Sequence, residues 1–254
     1  MNTQIVQWIE SKVQQASETQ GETLWETPLV AVAAAGDPLF GEIRKWVQST
    51  HQLPQELLSG AQSVITYFIP FHPTIPKSNR KGRLASREWG QAYILTNHLI
   101  GQINDDLTHK LSEAGYQTAY ASATHNFDES TLMSNWSHRH VAYIAGLGNF
   151  GLNNMLITDK GCCGRIGTLV TTAPLTPTVR TRKHTCLYRF NGSCGLCVDS
   201  CVNGSLKENN YDRHVCYDML LENAETLAEI GLADVCGKCT VGLPCSLVNP
   251  VKLP

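Results

Sequence analysis

The stretch CLYRFNGSCGLCVDSC, residues 186–201, places four cysteines in sixteen positions, and Cys216, Cys236, Cys239 and Cys245 follow it. Thiolates are soft ligands for iron and zinc, and two cysteines separated by two residues can aim both sulfurs at one centre from a single tight loop. Cys194 and Cys197 have that spacing, as do Cys236 and Cys239, and Cys201 follows Cys197 after three intervening residues. Eight of the chain's ten cysteines are therefore patterned as ligands.

A [4Fe–4S] cluster takes four thiolates, and in the two-cluster ferredoxin arrangement three close cysteines serve one cube while a fourth crosses to the other. On that arrangement Cys186, Cys194, Cys197 and Cys245 bind one cluster, and Cys201, Cys216, Cys236 and Cys239 bind the second. The pattern departs from the usual one in two places. Asn191 stands where the first cysteine would be, so Cys186 substitutes from five residues upstream, and Val202 replaces the proline that usually follows the crossing cysteine. Pro244 instead precedes Cys245. Two four-thiolate zinc sites, or disulfides, use the same residues and remain as alternatives. A zinc ribbon pairs C-x2-C with C-x2-C, whereas the three-residue step to Cys201 follows the interleaved layout. One cube would suffice to staple a segment this short, so a pair points to electron transfer.

The rest of the chain must position these groups. It has 254 residues, a net charge of −2 and 42% hydrophobic residues, an ordinary globular composition without a broad basic footprint for nucleic acid. The polar, amphipathic opening MNTQIVQWIESKVQQASETQG lacks the apolar core of a signal peptide, and no apolar run reaches the roughly 18–20 residues that span a bilayer. A cytoplasmic protein without membrane contact is expected. Reduced thiols there favour metal over disulfides.

Ile5, Trp8, Ile9 and Val13 recur at helical spacing, with Gly21 as a stop. PLVAVAAAG and AQSVITYFIPF read as strands, and YQTAYASA alternates as a third. A long helix is expected from Ser86 to Ala114, ended by Gly115. SNWSHRHVAYIAGLG reads as a helix running into glycines, and NNMLITDKGCCGRIGTLVTTAPL as a hairpin about a Gly-rich turn. The polar, basic run TPTVRTRKHT, residues 176–185, reads as a solvated linker. The expected fold class is thus an α/β (α+β) N-terminal domain over residues 1–178, followed by a small double-cluster ferredoxin-like domain over residues 179–254.

With these motifs in place, the sequence resembles the epoxyqueuosine reductases and their relatives. The likeness runs from DPLFGEIRKWV to CSLVNP. LLSGAQSVITYFIPF resembles the family's early Ser-Val-Ile strand, AYIAGLGNFGLNNMLIT its Ala-Gly-Leu-Gly segment, GTLVTTAPLTP the strand that follows, and HVCYDML the surroundings of an isolated cluster cysteine at Cys216. The resemblance implies cobalamin held between the two domains and reduced by the clusters. Gly146, Gly148 and Gly151 would let the backbone approach the corrin, and Asn149 and Asn153 would bond its amide arms. Where the family has its proton-donating Asp, this chain has Leu132, with Met133 and Ser134 beside it and Asp128 and Glu129 out of register. The helical-repeat extension of many tRNA-acting members does not follow the last cysteine, so tRNA is not expected as the substrate.

His138 and Tyr93 are the candidate proton donors; His140 is a further candidate on the same helix as His138. Adjacent Cys162 and Cys163 read as loop residues. The expected function is an iron–sulfur oxidoreductase that passes electrons from two [4Fe–4S] clusters to cobalamin and reduces a small molecule, fed by an external donor such as a ferredoxin or flavodoxin. The alternative is an electron-transfer protein that reduces a corrinoid or other redox partner without binding cobalamin itself.

Overall fold

The computed structural model describes residues 1–20, 23–180 and 184–251. Along the chain it forms α1 (Asn2–Gln20), β1 (Leu29–Ala34), α2 (Leu39–Trp46), α3 (Pro54–Leu57), β2 (Ser63–Pro70), α4 (Thr74–Ser78) and α5 (Arg87–Glu113). Next come β3 (Thr118–Ala119), β4 (Phe127–Asp128), β5 (Met133–Ser134), α6 (His138–Ile144), β6 (Gly148–Phe150), β7 (Leu156–Thr158) and β8 (Gly164–Thr171). The cysteine-rich end contributes α7 (Leu187–Asn191), α8 (Leu196–Asp199), β9 (Leu206–Lys207), β10 (Asn210–Tyr211) and α9 (Arg213–Thr226).

A four-stranded antiparallel sheet in the order β1-β2-β8-β3 organises the N-terminal part. Every residue of β2 is buried, so both faces must be covered. Alternation divides them. Ile65, Tyr67 and Ile69 face a cluster with Ile5, Ile9 and Val13 of α1 and Leu99, Ile103 and Leu107 of α5. Val64 and Phe68 face another, with Phe40 and Ile43 of α2 and Val141 and Ala142 of α6. The mixed helix–sheet class expected from sequence is observed, in its antiparallel, α+β form.

The long helix starts where Ser86 Oγ accepts the Trp89 amide at 3.2 Å and stops before Gly115, whose φ of +82° is a left-handed terminator. The Gly21 stop of α1 lies outside the described residues.

Three local expectations need correction. The third strand keeps only Thr118 and Ala119 in the sheet, because the chain then turns aside and Ala121 packs against the other face. The hairpin around the Gly-rich turn does not form as a ladder: β7 pairs with β6, whereas β8 pairs with β2 and β3. An eight-residue, β-rich run buries both faces only inside the main sheet, and that placement outcompetes pairing with short β7. The stretch before the cysteines is solvent-exposed over 176–179, as a solvated linker would be, but it is tied to the sheet rather than free. Thr178 exchanges two hydrogen bonds with Val32 on the edge strand, and Arg180 pairs with Asp37 at 3.2 Å. Residues 181–183 of that run lie outside the described residues.

Candidate metal centre and cofactor cleft

The cysteine-rich segment is bonded across the N-terminal layer. Leu227, Ala233, Val235 and Val241 belong to the same buried cluster as Trp89 and Ala92 of α5. Asn223 Oδ1 accepts the Ala85 amide at 2.7 Å, Lys238 Nζ donates to the carbonyls of Asn79 and Lys81, and the amides of Cys162 and Cys163 donate to Ser246 O, Cys162 also to Cys245 O. Cys162 and Cys163, read as plain loop residues, are therefore buried anchors of the segment. Hydrogen bonds to the Cys163 and Cys245 sulfurs, with burial, hold the Cys162 thiol well above its usual pKa, and the bond from Cys162 holds Cys245 below its own.

All ten cysteines are free thiols, and eight sort into two neighbourhoods. Burial pushes Cys197 up to about 11, reinforced by Cys245, Cys186 and Cys194. Burial likewise raises Cys239, reinforced by Cys236, Cys216 and Cys201 and more weakly by Cys197. Cys186, Cys194, Cys197 and Cys245 line a small cavity of about 20 Å³ with apolar Leu152 and Ile157. Cys216 is set by α9, whose first amides at His214 and Val215 are capped by Asp212 Oδ1. Burial also raises the Cys201 thiol, but bonds from Ser205 and the Leu206 amide outweigh it and leave it below its usual pKa.

Among the described residues no three His, Cys, Asp or Glu side chains are gathered to hold a single metal ion. A cube offers separate corners to its four ligands, so the donors need not converge on one point. Two sets of four thiols, each set sharing one electrostatic neighbourhood, fit the donor requirement of two cubes. Because thiolates are the ligands, loading such protonated thiols must release protons.

Cys201, Cys216, Cys236 and Cys239 also line a cleft of about 470 Å³ between the two parts of the chain. Its other walls mix apolar Phe71, Trp89 and Leu132 with polar Asn126, Asn153 and Arg165. Its size and mixed lining are those of a small-molecule or cofactor site.

Of the five residues expected to bind a cofactor, Asn153 lines this cleft. It is 6% exposed, and its Nδ2 donates to Cys239 O at 2.8 Å, tying the glycine segment to the second quartet. Gly146, Gly148, Asn149 and Gly151 are not among the lining residues. Gly148 has the Ile157 carbonyl against it, and Gly151 lies beside Asn153 Oδ1, so both glycines permit the close β6–β7 approach. Gly146, at φ +86°, ends α6 against Arg180.

His138 and Tyr93 both line the cleft. Burial draws His138 down to about 4, so its ring is neutral at pH 7. Its Nε2–H faces Ser122 O at 2.8 Å and its Nδ1 faces the Thr168 hydroxyl at 2.8 Å, so both nitrogens are engaged. Burial, Arg139 and His51 draw His140 to about 4 as well. Tyr93 Oη donates to Asp234 Oδ1 at 2.7 Å and lies 2.8 Å from Thr124 Oγ1. Burial is the main reason its pKa is raised, so the phenol keeps its proton at neutral pH. Leu132 stands in the cleft wall with φ +53°, while Asp128 is spent on its own turn, accepting from Ser130 and Thr131.

Sequence reasoning missed Asp234, His125 and Arg165. Asp234 Oδ2 accepts His125 Nε2–H at 3.1 Å, and the Arg165 guanidinium lies 4.3 Å from the Tyr93 ring centroid. The charge inside the β-rich run GRIGTLV was the available signal for Arg165. Nothing local marked the pairing of His125 with Asp234.

The layered α+β fold with a cysteine-rich segment closed over one cleft defines a class: the fold is epoxyqueuosine reductase-like. A solved epoxyqueuosine reductase from Bacillus subtilis matches with a TM-score of 0.56 at 18% identity, over 95% of this chain and 66% of that one. An epoxyqueuosine reductase with a tRNA-Tyr epoxyqueuosine-modified stem loop matches with a TM-score of 0.57 at 18% identity, over the same shares of each chain. The enzyme from Streptococcus thermophilus matches with a TM-score of 0.54 at 16% identity. The chain thus spans 66% of the length of the first two. No protein-family model and no curated protein matches it. Among the described residues no helix is long and apolar enough to cross a membrane.

Proposed function

We propose that the protein is an iron–sulfur oxidoreductase in which residues 179–254 carry two [4Fe–4S] clusters and residues 1–178 supply most of a cobalamin and substrate cleft. The observation that carries this reading is the second quartet, Cys201, Cys216, Cys236 and Cys239, opening into that cleft. Cys186, Cys194, Cys197 and Cys245, which line a small cavity with Leu152 and are not among the cleft's lining residues, hold the other cluster. An external donor such as a ferredoxin or flavodoxin supplies electrons to that cluster.

Bound cobalamin would supply a strongly reducing, nucleophilic cobalt. Asn153, in the cleft wall, would help hold it, and Gly146, Gly148, Asn149 and Gly151 would shape the turn that places Asn153. Phe71, Trp89 and Leu132 exclude water. Tyr93 takes the place of the missing acid at Leu132: it holds a proton at Oη, and Asp234 links it to His125, whose side chain is 42% exposed to solvent. A proton given up in the cleft is replaced along His125, Asp234 and Tyr93. The stem loop belongs to one matched structure; a small molecule is the substrate class read for this chain.

The test is a titration of cobalamin into anaerobically reconstituted protein, followed in the visible spectrum. A shift to the base-off form that saturates at one equivalent supports the reading. Intact clusters without any shift would reduce the protein to an electron carrier.

A further inference from the structure

Arg165 lies on β8, in the cleft wall. Its Nε is sealed from solvent and has no hydrogen-bond partner. Its other bond within the protein is a long one, from an Nη to Ala123 O at 3.5 Å. It makes no ion pair among the described residues. Asp234 is the carboxylate that attracts it, but both Asp234 oxygens are bonded elsewhere, to Tyr93 and His125. Arg139 adds repulsion.

Stacking on Tyr93 fixes the plane of the guanidinium. It leaves the N–H donors largely unused, and a guanidinium carries five in a fixed fork. A half-buried guanidinium whose Nε is sealed off without a partner carries an uncompensated desolvation cost, which a ligand anion would offset. The complementary group is a planar or tetrahedral oxyanion, which accepts two parallel N–H bonds. Such a group would sit in the cleft that Arg165 and Tyr93 line together with Cys201, Cys216, Cys236 and Cys239.

We propose that Arg165 is the substrate-recognising residue of this cleft, and that the small molecule bound there carries a carboxylate or phosphate paired with its guanidinium. This rests on the cleft being the reaction chamber.

The test is calorimetric titration of the whole chain with inorganic phosphate, with acetate and with neutral acetamide, at constant ionic strength in chloride. Saturable binding of an anion, and none of acetamide, is expected. Phosphate binding alone identifies a phosphorylated substrate; acetate binding alone identifies a carboxylic acid. Arg165→Met should weaken the anion at least tenfold, and Arg165→Lys, which keeps the charge but loses the fork, should fall between. Circular dichroism confirms that each variant is folded, and Arg165→Lys serves alone if Arg165→Met is not. Equal binding by wild type and variants, or no anion preference in the wild type, overturns the proposal. The titration needs neither iron nor cobalamin. Saturable anion binding in a preparation that ignores cobalamin would sink only the cofactor reading.

Discussion

Tyr93 on α5 and Asp234 in the cysteine-rich segment are 141 positions apart, and a 2.7 Å hydrogen bond joins them at the wall of the cleft. The bond both closes the cleft and gives the phenol a route to His125. A hydrogen bond to a charged group contributes about 1.5–3 kcal/mol. Tyr93→Phe and Asp234→Asn should each lower the unfolding free energy by about that amount, and the double variant should cost clearly less than the sum. Denaturant unfolding of the cycle checks it; additive losses would mean the two side chains act independently.

The sorting of the cysteines makes a pairwise prediction. Cys194→Ser with Cys197→Ser removes ligands from one quartet and should leave about four of about eight irons. Cys197→Ser with Cys239→Ser strikes both and should leave almost none. Iron analysis after anaerobic reconstitution distinguishes them. Equal iron in the two double variants would break the assignment.

Gly237 sits between Cys236 and Cys239 at φ +73°, with the Trp89 ring against its open side. An alanine there is strained by its backbone and meets the ring. Gly237→Ala should cost about 1–3 kcal/mol and lower iron at the second quartet before the first. Loss of electron paramagnetic resonance signal from one cluster, with the other intact, is the expected readout; an unchanged spectrum would show that the segment docks without this contact.

Burial holds His138 near 4 against an ordinary 6.5, and His140 likewise near 4. The unfolded chain therefore binds more protons than the folded one between those values. The stability these neutral rings contribute is present above about pH 6.5 and lost as pH falls through about 4. His138→Gln should flatten this acid limb in pH-dependent unfolding. A His138 ring that titrates near 6.5 by nuclear magnetic resonance would contradict the burial.

Much of this was legible in sequence because it depends on local pattern. The α1 stripe, the strands β1 and β2, and the span of α5 follow from periodicity, Ser86 and Gly115. The division of the cysteines into two quartets comes from the interleaved ferredoxin arrangement and stands as a proposal. What escaped the sequence depends on pairing. The strand partner of β8 was missed because adjacent runs mimic a hairpin, whereas burial of both its faces sends it to β2. Cys162 and Cys163 looked idle because their partner, Ser246, comes from the far end of the chain. The meeting of Tyr93, His125, Arg165 and Asp234 joins four separate segments, and no single window of residues reveals it.

The most direct test counts iron and acid-labile sulfide in the chain after anaerobic reconstitution, beside its zinc content. About eight of each per chain, in a brown protein without zinc, is the outcome two cubes require. A colourless protein with two zinc ions, or with Cys186–Cys245 closed into disulfides, would contradict it.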